Sequence, residues 1–414
     1  MKKCIYFDFT ARGICYNTFT LESNNHPTIP MKRRPILILI ALAILLKSSL
    51  FLYSISNTPE LKISADTHLY LRSGLSLASD GVFGTVNGDG SRSYEYYRTP
   101  GYPLFLGVFH GWLKIPLDGI IYLQIVLTLL SAMVVFKAAD KIDPRLGTIA
   151  FLIILFDPAI TIYSLMLLTE SLFLFLMSCF MYSMITYLKS KESKYLFLSA
   201  FVLASAAYVR PITFYLGGIL AVFIVSVSFP KDPRKGIVHA CIFLITVYSL
   251  LFLWQYRNYT RVHTFRFSSI SNATVNLKGL YKSYRRNEDP VSRGLPPLAY
   301  YMNVGSRNFM SLMTRPASLK NFNSDIFKKA GKVFSYPWIA FWLAGFIVGI
   351  GKTGKNASLH FLLIVILYLV GATIVGAMWG AGPRFRVPMM PYIAIISSLG
   401  WARITKKFQD RPEI

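Results

Sequence analysis

MKRRPILILIALAILLKSSLFLYSI, residues 31–55, decides the fold. A helix rises about 1.5 Å per residue and satisfies its own backbone hydrogen bonds, so about 20 apolar residues are what a membrane crossing needs. Between Pro35 and Ile55 the only charge is Lys47. The run is too long and continuous for the apolar centre of a signal peptide, and it reads as a retained transmembrane helix. Nine further runs follow near 119–136, 147–165, 170–188, 194–209, 212–229, 237–255, 334–350, 359–379 and 387–402. The expected fold is all-α, a polytopic bundle of about ten spans.

Working outward, 414 residues would suffice for two or three soluble domains, but 54% apolar and 15% charged residues exclude that organisation. The 44 Lys and Arg against 19 Asp and Glu leave a net charge of +25, which on a folded surface would suggest a nucleic-acid partner. Here the basic residues fall in short clusters between apolar runs, so no nucleic acid is expected. Cys179 and Cys241 lie inside apolar runs, Cys4 and Cys15 near the start, and no CxxC pair or disulfide framework is present.

The clusters orient the bundle, because short loops rich in Lys and Arg stay cytoplasmic. Lys32, Arg33 and Arg34 precede the first run. Lys137, Lys141 and Arg145, then Lys189, Lys191 and Lys194, then Lys231, Arg234 and Lys235, then Lys352 and Lys355, then Lys406 and Lys407 fall on the same side. Both termini are therefore expected in the cytoplasm of a plasma (inner) membrane protein, with the long hydrophilic segments 56–118 and 256–333 outside. Residues 1–30 read either as a cytoplasmic lead without fixed structure or as the product of a mis-assigned start, since Met31 opens a natural beginning. Residues 31–403 form the membrane domain and 404–414 a cytoplasmic tail.

In the first outer loop, Leu71, Leu75 and Ala78 recur at helical spacing after Ser64-Ala65-Asp66, which predicts a short interfacial helix ending at Asp80-Gly81. A second piece, RTPGYPLFLGVF from Arg98, stops at Lys114, too soon to span, and carries Pro103 in its first turn. Together they make a roof over the bundle. A loop Asp before a helix is most often a cap or a solvated charge. Asp66 has company, however. Glu170 opens the fourth run at its outer end, and Arg210, Arg257, Arg384 and Arg386 stand at other outer boundaries. Each arginine alone could snorkel to headgroups. Gathered on one face, carboxylates and guanidiniums suit a reaction with a phosphate leaving group: Arg grips phosphate bidentately, and a carboxylate can deprotonate an acceptor hydroxyl.

The ordered motifs Asp66-Thr-His-Leu-Tyr70, Arg98-Thr-Pro-Gly-Tyr-Pro-Leu-Phe-Leu106, Leu168-Thr-Glu-Ser-Leu-Phe173, Val209-Arg-Pro211, Trp254-Gln-Tyr-Arg-Asn-Tyr259 and Pro383-Arg-Phe-Arg-Val-Pro388 resemble the GT-C superfamily of integral-membrane glycosyltransferases. The nearest branch is that of the dolichyl-phosphate-mannose protein mannosyltransferases and the aminoarabinose transferases. The resemblance runs from about Met31 to Gly400. It implies an extracytoplasmic site under the first loop, Asp66 as general base, Glu170 as the second acid, and a polyprenyl-phosphate sugar as donor. Arg210, Arg257, Arg384 and Arg386, with Arg98 behind them, become the candidates for its phosphate. The partners implied are this donor, an extracytoplasmic acceptor (lipid, glycan or protein) and membrane lipids.

Two departures from the branch are expected: the mannosyltransferases usually carry an acidic pair where Thr67 follows Asp66, and the sequence reads as ending soon after its last span, without the soluble domain that some relatives carry. No D-x-D pair for a metal-held nucleotide sugar occurs, and every cytoplasmic connection is too short for a Rossmann-like domain. A metal bound by Asp66 and His68 lacks further ligands, so no metal is expected. Gly351-Lys352-Thr353 resembles the end of a P-loop but has Phe346 where the spacing needs glycine. Asp157-Pro158 inside the third run reads as a helix break capped by Asp157, ahead of a functional intramembrane acid. Asn258 and Asn272 head glycosylation triplets of the kind that arise by chance. The expected function is transfer of one sugar with inversion. A transporter or flippase of an anionic lipid-linked substrate is the alternative, although it should show internal symmetry around a midplane site. A non-catalytic subunit would tolerate loss of the carboxylates.

Overall fold

The computed structural model describes residues 33–57, 62–230, 232–268, 273–286, 289, 291–317, 325–354, 356–376 and 381–409. The reading of residues 1–30, Lys32, Lys231, Asn272, Lys355 and the end of the tail lie outside them.

The first run becomes α1 (Arg33–Asn57). The roof follows as α2 (Ala65–Asp80), a short antiparallel hairpin β1 (Gly84–Val86) and β2 (Arg92–Tyr94), and α3 (Gly101–Leu106), which continues as a π-helical turn to Trp112. The bundle proper contains α4 (Leu117–Ile142), α5 (Gly147–Leu155), α6 (Pro158–Ser164), α7 (Glu170–Ser190), α8 (Ser193–Val209), α9 (Leu216–Ser228) and α10 (Pro233–Val262). Two amphipathic helices, α11 (Ala273–Arg285) and α12 (Pro297–Thr314), lie in the second long hydrophilic segment. The chain closes with α13 (Asp325–Ile350), α14 (Ala357–Gly376), the four-residue α15 (Pro383–Arg386) and α16 (Met390–Gln409).

Among the described residues, seven helices are long and apolar enough to cross a membrane, and eight if the bent pair α5–α6 counts as one. Helical structure occupies each of the ten apolar runs. Three runs make the difference: α8 has only 17 residues, α5 and α6 meet at 47°, and α16, which carries Arg403, Lys406 and Lys407, is not among the helices that qualify. That break is the one Asp157-Pro158 predicts. Pro158 opens α6, and Asp157 Oδ1 accepts from the Ile160 amide at 2.9 Å.

Large apolar side chains on the outside, such as Leu45 (65% exposed) and Val222 (71%), face where lipid would be, while the centre is sealed by α4, α7, α8 and α16. In lipid the helices gain little by hiding apolar surface, so close backbone approach does the packing. Where α13 crosses α16, a Cβ on Gly349 would stand 2.0 Å from the Ile396 carbonyl oxygen. Only glycine fits there. α1 is the loosest span, joined to α4 through the Phe51–Tyr122 ring contact and the bond from buried Lys47 to Thr128 at 3.3 Å.

Candidate active site

The start of α2 is fixed by hydrogen bonds at both ends of its capping box. The Thr67 hydroxyl accepts from the Ser64 amide at 3.0 Å and donates to the Leu167 carbonyl at 3.0 Å, and the Leu167 amide donates to the Lys62 carbonyl at 2.9 Å. The residue that stands where the resembled branch has a second acid therefore binds the segment leading into Glu170. Farther along α2, a Cβ on Gly74 would lie 2.4 Å from the Pro103 carbonyl oxygen, so α2 and α3 cross in backbone contact. The roof is thereby held on two sides, and Asp66 faces the bundle end.

Five of the seven predicted site residues converge there. Asp66 accepts from Arg98 Nη2 at 2.8 Å and from Arg384 Nη1 at 2.9 Å. Glu170, whose side chain is 1% exposed, accepts from Arg384 Nε and from Arg210 Nη1 at 3.2 Å. Arg384 thus touches both carboxylates. Three guanidiniums face two carboxylates, which leaves one unit of positive charge for an anion.

Each position has a local cause. Arg210 precedes Pro211, which ends α8 and turns the side chain inward between the rings of Phe173 and Phe385, at 5.7 and 5.5 Å. Glu170 is the first residue of α7, where the helix dipole favours a negative charge. Arg98 lies over the Tyr70 ring at 4.8 Å and donates to its hydroxyl at 3.0 Å. Tyr70 belongs to the quoted motif, yet nothing in its spacing marks it as a partner of Arg98.

The electrostatics follow from these contacts. Burial would push the Asp66 carboxyl up, but Arg384 and then Arg98 outweigh it and hold the group below the ordinary carboxylate value. Burial opposes the charge on Arg384 as well; Glu170 and Asp66 overcome it and raise Arg384 above the usual arginine. Burial lowers Arg210, against the pull of Glu170.

The remaining two candidates are not brought to the carboxylates. Arg257 does not reach the carboxylates. It donates to the carbonyls of Glu95 at 2.7 Å and Phe83 at 2.9 Å and packs over Trp254 at 4.7 Å. The Glu95 carboxylate in turn accepts from the amides of Tyr97 and Arg98, so Arg257 braces the loop that delivers Arg98. Arg386 is 1% exposed and donates to backbone carbonyls at the end of α12. Both arginines are taken up by carbonyl oxygens, a fate their sequence positions do not reveal. Asn258, one of the glycosylation triplets, is fully buried and donates to the Arg266 carbonyl. Among the described residues, no three His, Cys, Asp or Glu side chains gather as a metal site would require.

Residues 98–254 match the family model of the dolichyl-phosphate-mannose-protein mannosyltransferases. The match takes in Arg98, Glu170 and Arg210. No curated protein matches the chain. Among solved structures, the apo oligosaccharyltransferase of Archaeoglobus fulgidus is similar with a TM-score of 0.57 at 14% identity, over 91% of this chain and 51% of that one. The same organism's oligosaccharyltransferase AglB, in complex with an inhibitory peptide and a dolichol-phosphate, gives 0.52 at 12% identity, over 91% and 51%. ArnT from Cupriavidus metallidurans bound to undecaprenyl phosphate gives 0.44 at 12% identity, over 90% and 78%. The chain spans about half the length of the oligosaccharyltransferase structures it resembles. It is an integral membrane protein with the fold of the GT-C superfamily of membrane glycosyltransferases.

Proposed function

We propose that this protein transfers one sugar, with inversion, from a polyprenyl-phosphate carrier to a hydroxyl acceptor on the extracytoplasmic side, both termini lying in the cytoplasm. The observation that carries the reading is the sharing of Arg384 between Asp66 and Glu170. The bound dolichol-phosphate of the similar oligosaccharyltransferase supports a lipid phosphate as donor headgroup.

Asp66 is the base. Its side chain is 31% exposed, against 1% for Glu170, so an acceptor hydroxyl can reach the first carboxylate and not the second. The acceptor oxygen attacks the anomeric carbon as the bond from that carbon to the phosphate oxygen breaks. The hydroxyl proton passes to Asp66, and polyprenyl phosphate leaves with the bonding electrons. A base held below the ordinary carboxylate value is ionised throughout the neutral range, which is the state this step needs. Arg384, Arg210 and Arg98 meet the charge that grows on the leaving oxygen. Such preorganised donors act strongly where water is excluded. Glu170 orients Arg384 and Arg210.

The test incubates purified protein with labelled polyprenyl-phosphate sugars and candidate acceptors. Transfer that depends on the lipid donor supports the proposal. Transfer from a nucleotide sugar without a lipid intermediate overturns the donor assignment.

A further inference from the structure

We infer that Arg386 is a positioning residue, which ties the end of α12 to the α15 turn and thereby sets where Arg384 meets Asp66 and Glu170. The inference draws on the proposed transfer reaction only for its kinetic readout.

α15 is four residues long, Pro383–Arg386. A helix of one turn has fixed its dihedrals without the gain of propagation, so its placement comes from tertiary anchors. At one end of this turn Arg384 bridges the two carboxylates. Two residues on, about 200° around a helix, Arg386 points to a different neighbour. Its Nη1 donates to the carbonyls of Leu312 at 2.9 Å, Met313 at 3.0 Å and Arg315 at 3.3 Å, and its guanidinium lies over Trp342 at 5.5 Å. Carbonyls at the end of a helix have no partner in the helix and carry the negative end of its dipole. Arg386 caps that end.

A guanidinium only 1% exposed is a costly way to hold two segments together, and among the described residues no carboxylate lies within ion-pair distance of it. Asp157 is also buried and keeps one oxygen without a partner, and Arg386 Nε is likewise unpartnered. In some proteins a buried charge is retained because it specifies geometry. Here the geometry specified is a rigid two-sided link: α12 on one side, the carboxylate-binding arginine on the other. A displacement of α12 is then relayed to Arg384 without any contact between α12 and Asp66.

The test uses the purified full chain and two readouts. The groups facing Asp66 are Arg98, Arg384, Arg210 and Tyr70, with Glu170 across Arg384. If Arg386 places Arg384, Arg386→Met weakens one of the two cations that hold Asp66 down. The acid limb of kcat/KM then moves to higher pH, and kcat/KM at neutral pH falls by about 10²-fold, the scale of a misplaced catalytic group. Arg386→Lys, which keeps a cation and donors for the same carbonyls, restores most of the limb. The second readout needs no activity. In a thermal-unfolding cycle of Arg386→Met with Asp66→Ala, the Tm losses are less than additive, because the first substitution already removes part of what the second removes. Should Arg386→Met fail to fold, Arg386→Gln, which keeps an amide donor but loses the charge and the reach to α12, takes its place in the cycle. An acid limb unmoved from that of the wild type, with Tm losses that sum, overturns the inference. A wild-type protein without transfer activity would count against the proposed reaction alone, because the cycle still decides the role of Arg386.

Discussion

Asp66 and Arg384, 318 positions apart, meet in an ion pair of 2.9 Å between Oδ2 and Nη1. One comes from the roof before the second long helix, the other from the turn that leads into the last. Because Arg384 also binds Glu170, the pair joins the first loop, the start of α7 and the C-terminal part of the chain at one point.

Arg384→Ala leaves both carboxylates with a single guanidinium each. Removing one partner of a buried pair costs about 3–5 kcal/mol, and the lower end applies because Arg210 stays with Glu170 and Arg384 is partly exposed. We expect a reduced Tm in detergent and a kcat/KM for donor lower by about 10²–10³-fold, the scale of a lost oxyanion donor. Unchanged donor dependence would show that Arg384 takes no part in holding the phosphate.

The pH dependence of Asp66 has a defined sign. Its folded-state value is depressed, so the stability it contributes is present above the unfolded value of about 3.9 and is lost as pH falls through the folded value. Activity follows the same limb. Arg98→Gln removes one of the two cations responsible, and the acid limb of kcat/KM should rise toward the ordinary carboxylate range. A limb that stays in place would mean that Arg384 alone sets it.

Gly74→Ala tests whether the roof's crossing places Asp66. The new Cβ would meet the Pro103 carbonyl oxygen at 2.4 Å, backbone against backbone, so α2 must shift. Overpacking of this sort costs about 1–3 kcal/mol. Activity should fall further than the loss of stability explains, as measured by kcat in protein shown to be folded by its Tm. A purely thermal effect would separate the crossing from the site.

The sequence carries local signals well and long-range ones poorly. The end of the roof helix at Asp80-Gly81, the stop near Lys114 and the break at Asp157-Pro158 are each written in adjacent residues, through Gly and Pro conformations and helical spacing. Convergence of Asp66 and Glu170 was readable from their shared membrane face. Which arginines join them was not. Arg98 ranked behind Arg257 and Arg386, yet it binds Asp66, whereas the other two are occupied by carbonyls of Phe83 and Glu95 and of α12. All five arginines sit at apolar boundaries, and only packing decides which of them finds a carbonyl and which a carboxylate. Thr67 shows the same limit: it reads as a departure from an acidic pair, and its bond to Leu167 is visible only in three dimensions.

In the proposed reaction Asp66 removes the acceptor's proton. The most direct measurement compares wild type and Asp66→Asn for transfer of labelled sugar from a polyprenyl-phosphate donor, with Tm and membrane insertion followed in parallel. Loss of transfer in a folded, inserted variant is expected, since the amide keeps the shape and the hydrogen-bond acceptor but cannot take a proton. Full transfer by Asp66→Asn would contradict it.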